Sequence, residues 1–343
     1  MKLHNTINGE ELKEKIKNST EIRSTISFYK YAKIGNPQLF RDHAYYHWAP
    51  IGVLGRIYVA NEGINAQLSL PTENMEVFKQ TLADITFLDG VRLNYAVDDD
   101  GKSFFKLAIK VREKIVADGL QEDVLNEYGP APYLSVEKFN EITENPEAIL
   151  IDMRNHYESE VGHFKGAWCP DIDTFREQLP LVVDELAEKK DKPVIMYCTG
   201  GIRCEKASAY LKHKGFTDVY HLEGGIIKYS RDAKEQGLPN KFIGKNFVFD
   251  ERLHERITDD VIAHCHQCGE TYDEHINCKN KACNLLFIQC PKCAEKYNHC
   301  CSEECATIAA LPEEEQRQLR KGKDTGVRIF SKGRFKNNAS TRS

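Results

Sequence analysis

The 343-residue sequence predicts a multidomain protein of mixed α/β and α+β class, and three observations carry that reading. Residues 1–120 place strand and helix patterns in the order β-α-β-β-α-β. Residues 121–240 switch to short apolar runs alternating with helical stretches, the pattern of an open α/β unit. Residues 241–311 crowd together nine of the twelve cysteines, and 312–343 form a basic tail. A chain this long exceeds one small core and suggests two or three domains.

In the first segment TISFYK (25–30) reads as a strand and residues 37–48 as a helix. GRIYVANEGINAQLSL alternates as two strands around a turn at Glu62-Gly63. Thr72 is placed as the N-cap of a helix with Met75, Phe78 and Leu82 on one face. VRLNYAV and SFFKLAIKV close the unit as strands about the turn Asp98-Asp99-Asp100-Gly101. This order is that of a ferredoxin-like sandwich, which hosts many functions and assigns none by itself. No RNP-type aromatic motif accompanies it.

A proline-containing link, EYGPAPYLS, leads into the second segment. AILIDM, PVIMYC and DVYHL read as buried strands. TFREQLPLVVDELAEK and RCEKASAYLKHKG read as helices, the latter ended by Gly215. In such a unit the site lies at the carboxyl ends of the strands, and Cys198 sits at one.

The loop after that strand is Cys198-Thr199-Gly200-Gly201-Ile202-Arg203. Two glycines let the backbone curl so that successive N–H groups point at the sulfur. The helix N-terminus adds partial positive charge and Arg203 a full one, so the Cys198 thiol should ionise below its free value. A thiolate in an anion-binding cradle can attack a sulfur donor and hold a persulfide. Cysteine-dependent phosphatases separate nucleophile and arginine by five residues; Thr199, Gly200, Gly201 and Ile202 make only four here. The tighter ring disfavours phosphoryl transfer. Cys204, next in sequence, is either a redox partner that resolves an oxidised Cys198 or an inward-packing residue. Cys169 reads as a core residue.

The N-terminal twenty residues lack an apolar stretch and no run reaches the length of a membrane span, which points to a cytoplasmic protein. Thiols stay reduced there, so clustered cysteines imply metal more than disulfides. Close pairs supply the knuckles of tetrahedral zinc. Cys265, Cys268, Cys278, Cys283, Cys290, Cys293, Cys300 and Cys305 form a ligand set for two structural Zn²⁺ ions. Cys301 adjoins Cys300 and competes for its place, a histidine of HCHQC could also take part, and the pairing could be sequential or interleaved. The net charge of −5 argues against a general nucleic-acid coat. From Gln316 to Ser343, however, nine Lys or Arg face one acid, Asp324, a local charge of +8 that suits a polyanion.

Several phrases together resemble the rhodanese family. Asp152-Met153-Arg154, Glu158 and Gly162-His163-Phe164-Lys165-Gly166-Ala167 look like its opening motif, and Leu222-Glu223-Gly224-Gly225-Ile226 its closing one, with Tyr229 where tryptophan is more usual. The resemblance implies that Cys198 and Arg203 are catalytic, that Asp152 and Arg154 brace the active-site loop, and that His163 is structural. Over nearly the whole chain, DMRNHYESEVGH, YCTGGIRCEKASAYLK, FIGKNFVFDER and HCHQC resemble the bacterial TrhO family of tRNA uridine hydroxylases, including an acylphosphatase-like first domain.

That resemblance implies hydroxylation of the wobble uridine to 5-hydroxyuridine, with O₂ as co-substrate and the tRNA anticodon region as partner. The residues themselves show no electron donor: there is no G-x-G-x-x-G fingerprint and no two-His-one-carboxylate set. One covalent route has the Cys198 thiolate add at C6 of the pyrimidine and activate C5; a persulfide route is the other. Tyr29, Tyr31 and Arg56 are candidate RNA contacts, with an ordinary strand or surface role as the alternative for each. A plain persulfide-forming sulfurtransferase and a non-enzymatic zinc-bearing RNA scaffold are the competing readings.

Overall fold

The computed structural model describes residues 3–121 and 123–321. A short helix, α1 (Gly9–Lys17), precedes β1 (Arg23–Tyr31), α2 (Pro37–Trp48), β2 (Leu54–Ala60), β3 (Gly63–Pro71), α3 (Met75–Ala83), β4 (Asn94–Tyr95) and β5 (Leu107–Val111). The sheet order is β4-β1-β3-β2-β5. Its first four strands are the antiparallel ferredoxin-like arrangement, and β5 extends it by pairing parallel to β2. Asn36 caps α2 by accepting from the Leu39 N–H at 3.0 Å, with Pro37 at the first turn.

Two details depart from the sequence reading. Thr72 makes no capping bond; it opens a 3₁₀ turn, Thr72–Asn74, and its hydroxyl meets Ser24 Oγ at 2.8 Å. The VRLNYAV strand shrinks to Asn94–Tyr95, because Asp99 then turns in to accept from Thr25 N and Thr25 Oγ1.

Alternation along β1 gives the sheet two unlike faces. Ile26 and Phe28 point into a core shared with Trp48, Phe78, Ile57, Ile64 and Leu68. Ser27 and Tyr29 point the other way, beside Gln67 and Asn65 of β3 and then Arg56 and Tyr58 of β2. That second face is polar and aromatic, and the next unit packs against it.

The middle unit runs α4 (Val124–Tyr128), β6 (Tyr133–Leu134), α5 (Val136–Ile142), β7 (Ile149–Asp152), α6 (His156–Ser159), β8 (Gly162–Phe164), α7 (Phe175–Glu185), β9 (Val194–Tyr197), α8 (Ile202–His213), β10 (Val219–Leu222) and α9 (Gly225–Gln236). Its four-stranded sheet, β6-β10-β9-β7, is parallel throughout. Every residue of β9 is buried, and separate cores lie on its two sides: Met196 with Leu179 and Leu211, and Ile195 and Tyr197 with Phe139 and Phe164. Burial on both faces is why the strand reads as a continuous apolar run.

The last unit holds β11 (Phe242–Phe247), β12 (His254–Arg256), β13 (His275–Asn277), β14 (Leu286–Ile288), α10 (Pro291–Lys296), α11 (Glu303–Ala309) and α12 (Glu313–Arg320). β11 pairs antiparallel with both β12 and β8, which stitches this unit to the middle one. Of the tail's basic residues Arg317, Arg320 and Lys321 are described; Lys323 and those beyond it lie outside the described residues. Among the described residues no helix is long and apolar enough to cross a membrane.

Candidate active site

Cys198 follows the last residue of β9, with β10 on one side and β7 on the other. The chain must then reverse into α8 within four residues. Gly201 makes this turn at φ 102°, a conformation that favours glycine, and serves as the cap of α8. The turn aims its N–H at the sulfur, 3.1 Å from Cys198 Sγ.

The electrostatics of the thiol are a contest. Burial raises its pKa; the Cys204 thiol, the Arg203 charge and the N–H groups of Gly201 and Arg203 lower it and prevail, bringing it down to about 6. Cys204 is itself held well above the ordinary thiol range by burial and by the Cys198 charge, so it stays protonated and donates. In this geometry it is a hydrogen-bond donor to Cys198, and no disulfide joins the two.

Arg203 is buried and meets Glu158 through two bonds, 2.6 and 2.8 Å long. Glu158 is held in turn at the start of α6, where the Asn155 N–H donates to Oε1 at 3.0 Å. The guanidinium is therefore charge-compensated, and its contribution to the thiolate is that of one end of an ion pair. The carboxyl-side wall comes from α9. The N–H groups of Ile226 and Ile227 donate to the carbonyls of Cys198 and Thr199 at 3.0 and 3.2 Å. A Cβ on Gly225, at φ 66°, would stand 2.4 Å from the Cys198 carbonyl oxygen, so this contact admits only glycine.

The expected bracing residues act one layer further out. Arg154 donates to both oxygens of Asp152 and, at 2.6 Å, to the Gly162 carbonyl. It touches none of residues 198–203 by hydrogen bond; its guanidinium lies 5.8 Å from the Tyr197 ring centroid, beside the nucleophile's neighbour. Glu158 is the direct brace. His163 contacts the Phe164 carbonyl on β8 and stands away from the cavity, and Cys169 is half-buried near the Ala167 carbonyl.

The polar face of the first sheet closes over this loop. Tyr29 donates to Glu205 at 2.7 Å and Tyr31 to the Ile202 carbonyl at 3.1 Å, so both tyrosines dock the first unit onto α8. Lys206 reaches back to Glu62 and the buried Asp118. Between the two units and residues 248–255 of the last lies a cavity of about 510 Å³, with Cys198, Gly200, Tyr29, Tyr58 and Arg56 in its walls. This size falls within the range of small-molecule pockets, about 300–1,000 Å³.

The cysteine-rich unit gathers its thiols into two groups, Cys265, Cys268, Cys290, Cys293 and Cys278, Cys283, Cys301, Cys305, the four sulfurs of each lying within 4.8 Å of one another. The pairs are interleaved. Cys301 replaces the expected Cys300: Asn298 and His299 both turn the chain at positive φ, and Cys300 then points to the Asn298 carbonyl at 3.5 Å. No histidine joins either group. The Sγ–Sγ separations Cys268–Cys290, Cys283–Cys301 and Cys301–Cys305 are 3.6, 3.6 and 3.7 Å. Four sulfurs about 2.3 Å from one zinc stand roughly 3.8 Å apart, whereas a disulfide is about 2.05 Å long. The groups fit a metal.

Alkylation of Cys198, followed by peptide mass spectrometry, should speed up as pH rises through about 6, because only the thiolate reacts. Below that pH the sulfur is protonated and slow. Cys204→Ala removes a donor to the thiolate, so its midpoint should move up towards that of a free thiol. An unchanged midpoint would contradict the donor role.

Comparison with known proteins follows the same division. Residues 23–115 match the UPF0176 acylphosphatase like domain, 135–232 the Rhodanese-like domain and 243–306 the Rhodanase C-terminal model. A tRNA uridine(34) hydroxylase of Photorhabdus laumondii is 56% identical over 335 residues, covering 97% of this chain and 95% of its own. Those of Pectobacterium carotovorum and Salmonella arizonae are also 56% identical, covering 97% and 98% of this chain and 94% and 97% of theirs. With relatives this similar from end to end, the chain belongs to the tRNA uridine(34) hydroxylase family.

Proposed function

We propose that this chain hydroxylates C5 of uridine 34 in tRNA, with Cys198 as its catalytic thiolate. The observation that carries the reading is the low-pKa thiolate opening on a cavity that could take one splayed-out base. The net reaction is uridine plus O₂, two electrons and two protons giving 5-hydroxyuridine and water. The electrons come from a two-electron reductant.

In the covalent route the Cys198 sulfur adds to C6, and the C5=C6 pair moves towards the C4 carbonyl. C5 then bonds to oxygen already reduced to the peroxide level, expelling the other oxygen as water. Loss of the C5 proton and the thiolate restores the double bond. The buried thiolate suits addition, since it is a nucleophile that water does not shield.

Arg203 bears on the sulfurtransferase alternative. A dianionic donor such as thiosulfate needs a free cation beside the sulfur, whereas this guanidinium is neutralised by Glu158. Thr199, Gly200, Gly201 and Ile202 then serve as the backbone of the thiolate cradle.

In the last unit each cysteine group would hold one structural Zn²⁺, closed by four thiolates and without an open position for chemistry. The tail, with its run of Lys and Arg, supplies charge for a tRNA backbone. A cytoplasmic location would keep the clustered thiols reduced and able to bind metal.

In deletion cells wild-type protein should restore 5-hydroxyuridine derivatives at position 34, measured by nucleoside mass spectrometry, while Cys198→Ala restores none. Restoration by both would remove the thiol from the chemistry. Metal analysis should find two zinc ions per chain. Cys301→Ser should lose one of them and Cys300→Ser neither; the reverse would return Cys300 to the ligand set.

A further inference from the structure

Hydrogen-bonding capacity is left unspent on one wall of the cavity. Asn94 is only 7% exposed, yet its side-chain amide bonds to no described residue, although its backbone pairs with Ser27. The amide lines the cavity, and its nitrogen lies 3.6 Å from where a Cβ on Gly200 would stand. It thus reaches the loop two residues from the nucleophile. Ser27 and Gln67, opposite each other across β1 and β3, line the same cavity and make no side-chain hydrogen bond among the described residues.

The charges have the opposite arrangement. Of the cations in the wall, Arg203 is paired with Glu158 and Arg252 with Asp250 and Glu255. Arg56 is exposed and has no ion pair among the described residues; its single bond is a long one, 3.5 Å, to the Phe249 carbonyl.

An amide that faces a cavity with no protein partner is free to bond a ligand there, and it presents a donor and an acceptor side by side. The complement is a neutral planar ring with the same pair reversed, carrying an anion that stays outside. A pyrimidine nucleotide has that form.

We propose that Asn94 is the base-reading residue of this site. Its Nδ2 donates to a ring carbonyl and its Oδ1 accepts from the N3–H of the target uracil, while Arg56 holds a flanking phosphate. This assignment rests on the tRNA reading above and names the group that would recognise its substrate. Aspartate at the same position offers acceptors alone. It would face the uracil carbonyl unfavourably and suit the amino group of cytosine.

The test is binding of fluorescein-labelled anticodon stem-loop RNAs, carrying U34 or C34, to the full-length protein. The wild type should favour U34 by about tenfold, the scale on which a missing hydrogen bond discriminates. Asn94→Ala should lose that preference, and Asn94→Asp should reverse it. Arg56→Gln should weaken both RNAs alike, as a phosphate contact does. Far-UV circular dichroism and a cooperative thermal unfolding transition identify folded variants, since neither depends on the charge at position 94. If Asn94→Ala fails this check, Asn94→Asp, nearly the same shape, decides. Folded variants that keep the U34 preference, or a wild type without one, overturn the assignment. A wild type that binds neither RNA overturns the tRNA reading itself, and Asn94 with it.

Discussion

A buried guanidinium must find a carboxylate, and the Arg203–Glu158 pair that meets this need fixes most of the candidate site. Both side chains are withdrawn from water, so removing either partner strands a charge, at a cost of about 3–5 kcal/mol. The pair joins the first turn of α8 to the first turn of α6, elements 45 residues apart in sequence. With α8 anchored at its start, the Gly201 N–H is held on the sulfur and Cys204, one turn along, donates to it as well. The ion pair is thus chiefly a positioning device. Its positive end still favours the thiolate, but the orientation of neutral donors matters as much.

A second constraint comes from the first unit. Its sheet spends one face on a hydrophobic core and turns the other, with its tyrosines and amides, onto the loop. The Tyr29 and Tyr31 hydroxyls and the Lys206–Glu62–Asp118 cluster seat that face against α8. Asp118 is buried, and although burial raises its pKa, Lys114 and Lys206 hold it below the ordinary carboxylate range. The consequence is that Cys198, only 1% exposed, opens on a cleft between the units rather than directly on bulk water. A stand-alone α/β unit with the same loop would present its thiol quite differently.

How much of this was legible in the sequence depended on how local each feature is. The Cys198–Arg203 cradle is contiguous, so glycine placement and the strand-to-helix switch revealed it directly. Glu158 was visible within the opening motif, but its grip on Arg203 is a long-range contact; the signal was the need of any buried arginine for a carboxylate. Asp152 and Arg154, which the family resemblance implies brace the loop, secure the end of β7 against β8. Gly225 belonged to a recognisable phrase, yet only the fold shows that its missing side chain makes room for the Cys198 carbonyl. Cys300 and Cys301 are adjacent, and spacing alone could not separate them; two left-handed residues just before them decide which sulfur faces the cluster. For Tyr29 and Tyr31 the sequence leaves an RNA contact and an ordinary strand residue both open; their hydroxyls hold the two units together. Asn94 gave no signal at all, because its meaning lies in what it does not bond.

The central claim is that the target uridine enters the chamber between the first sheet and the Cys198 loop. The most direct measurement is photocrosslinking of full-length protein to an anticodon stem-loop carrying 4-thiouridine at position 34, with the attachment site mapped by peptide mass spectrometry. Crosslinks are expected within residues 25–31 or 198–203. Crosslinks confined to residues 265–305, or to the tail, would contradict it and move RNA recognition to the cysteine-rich unit.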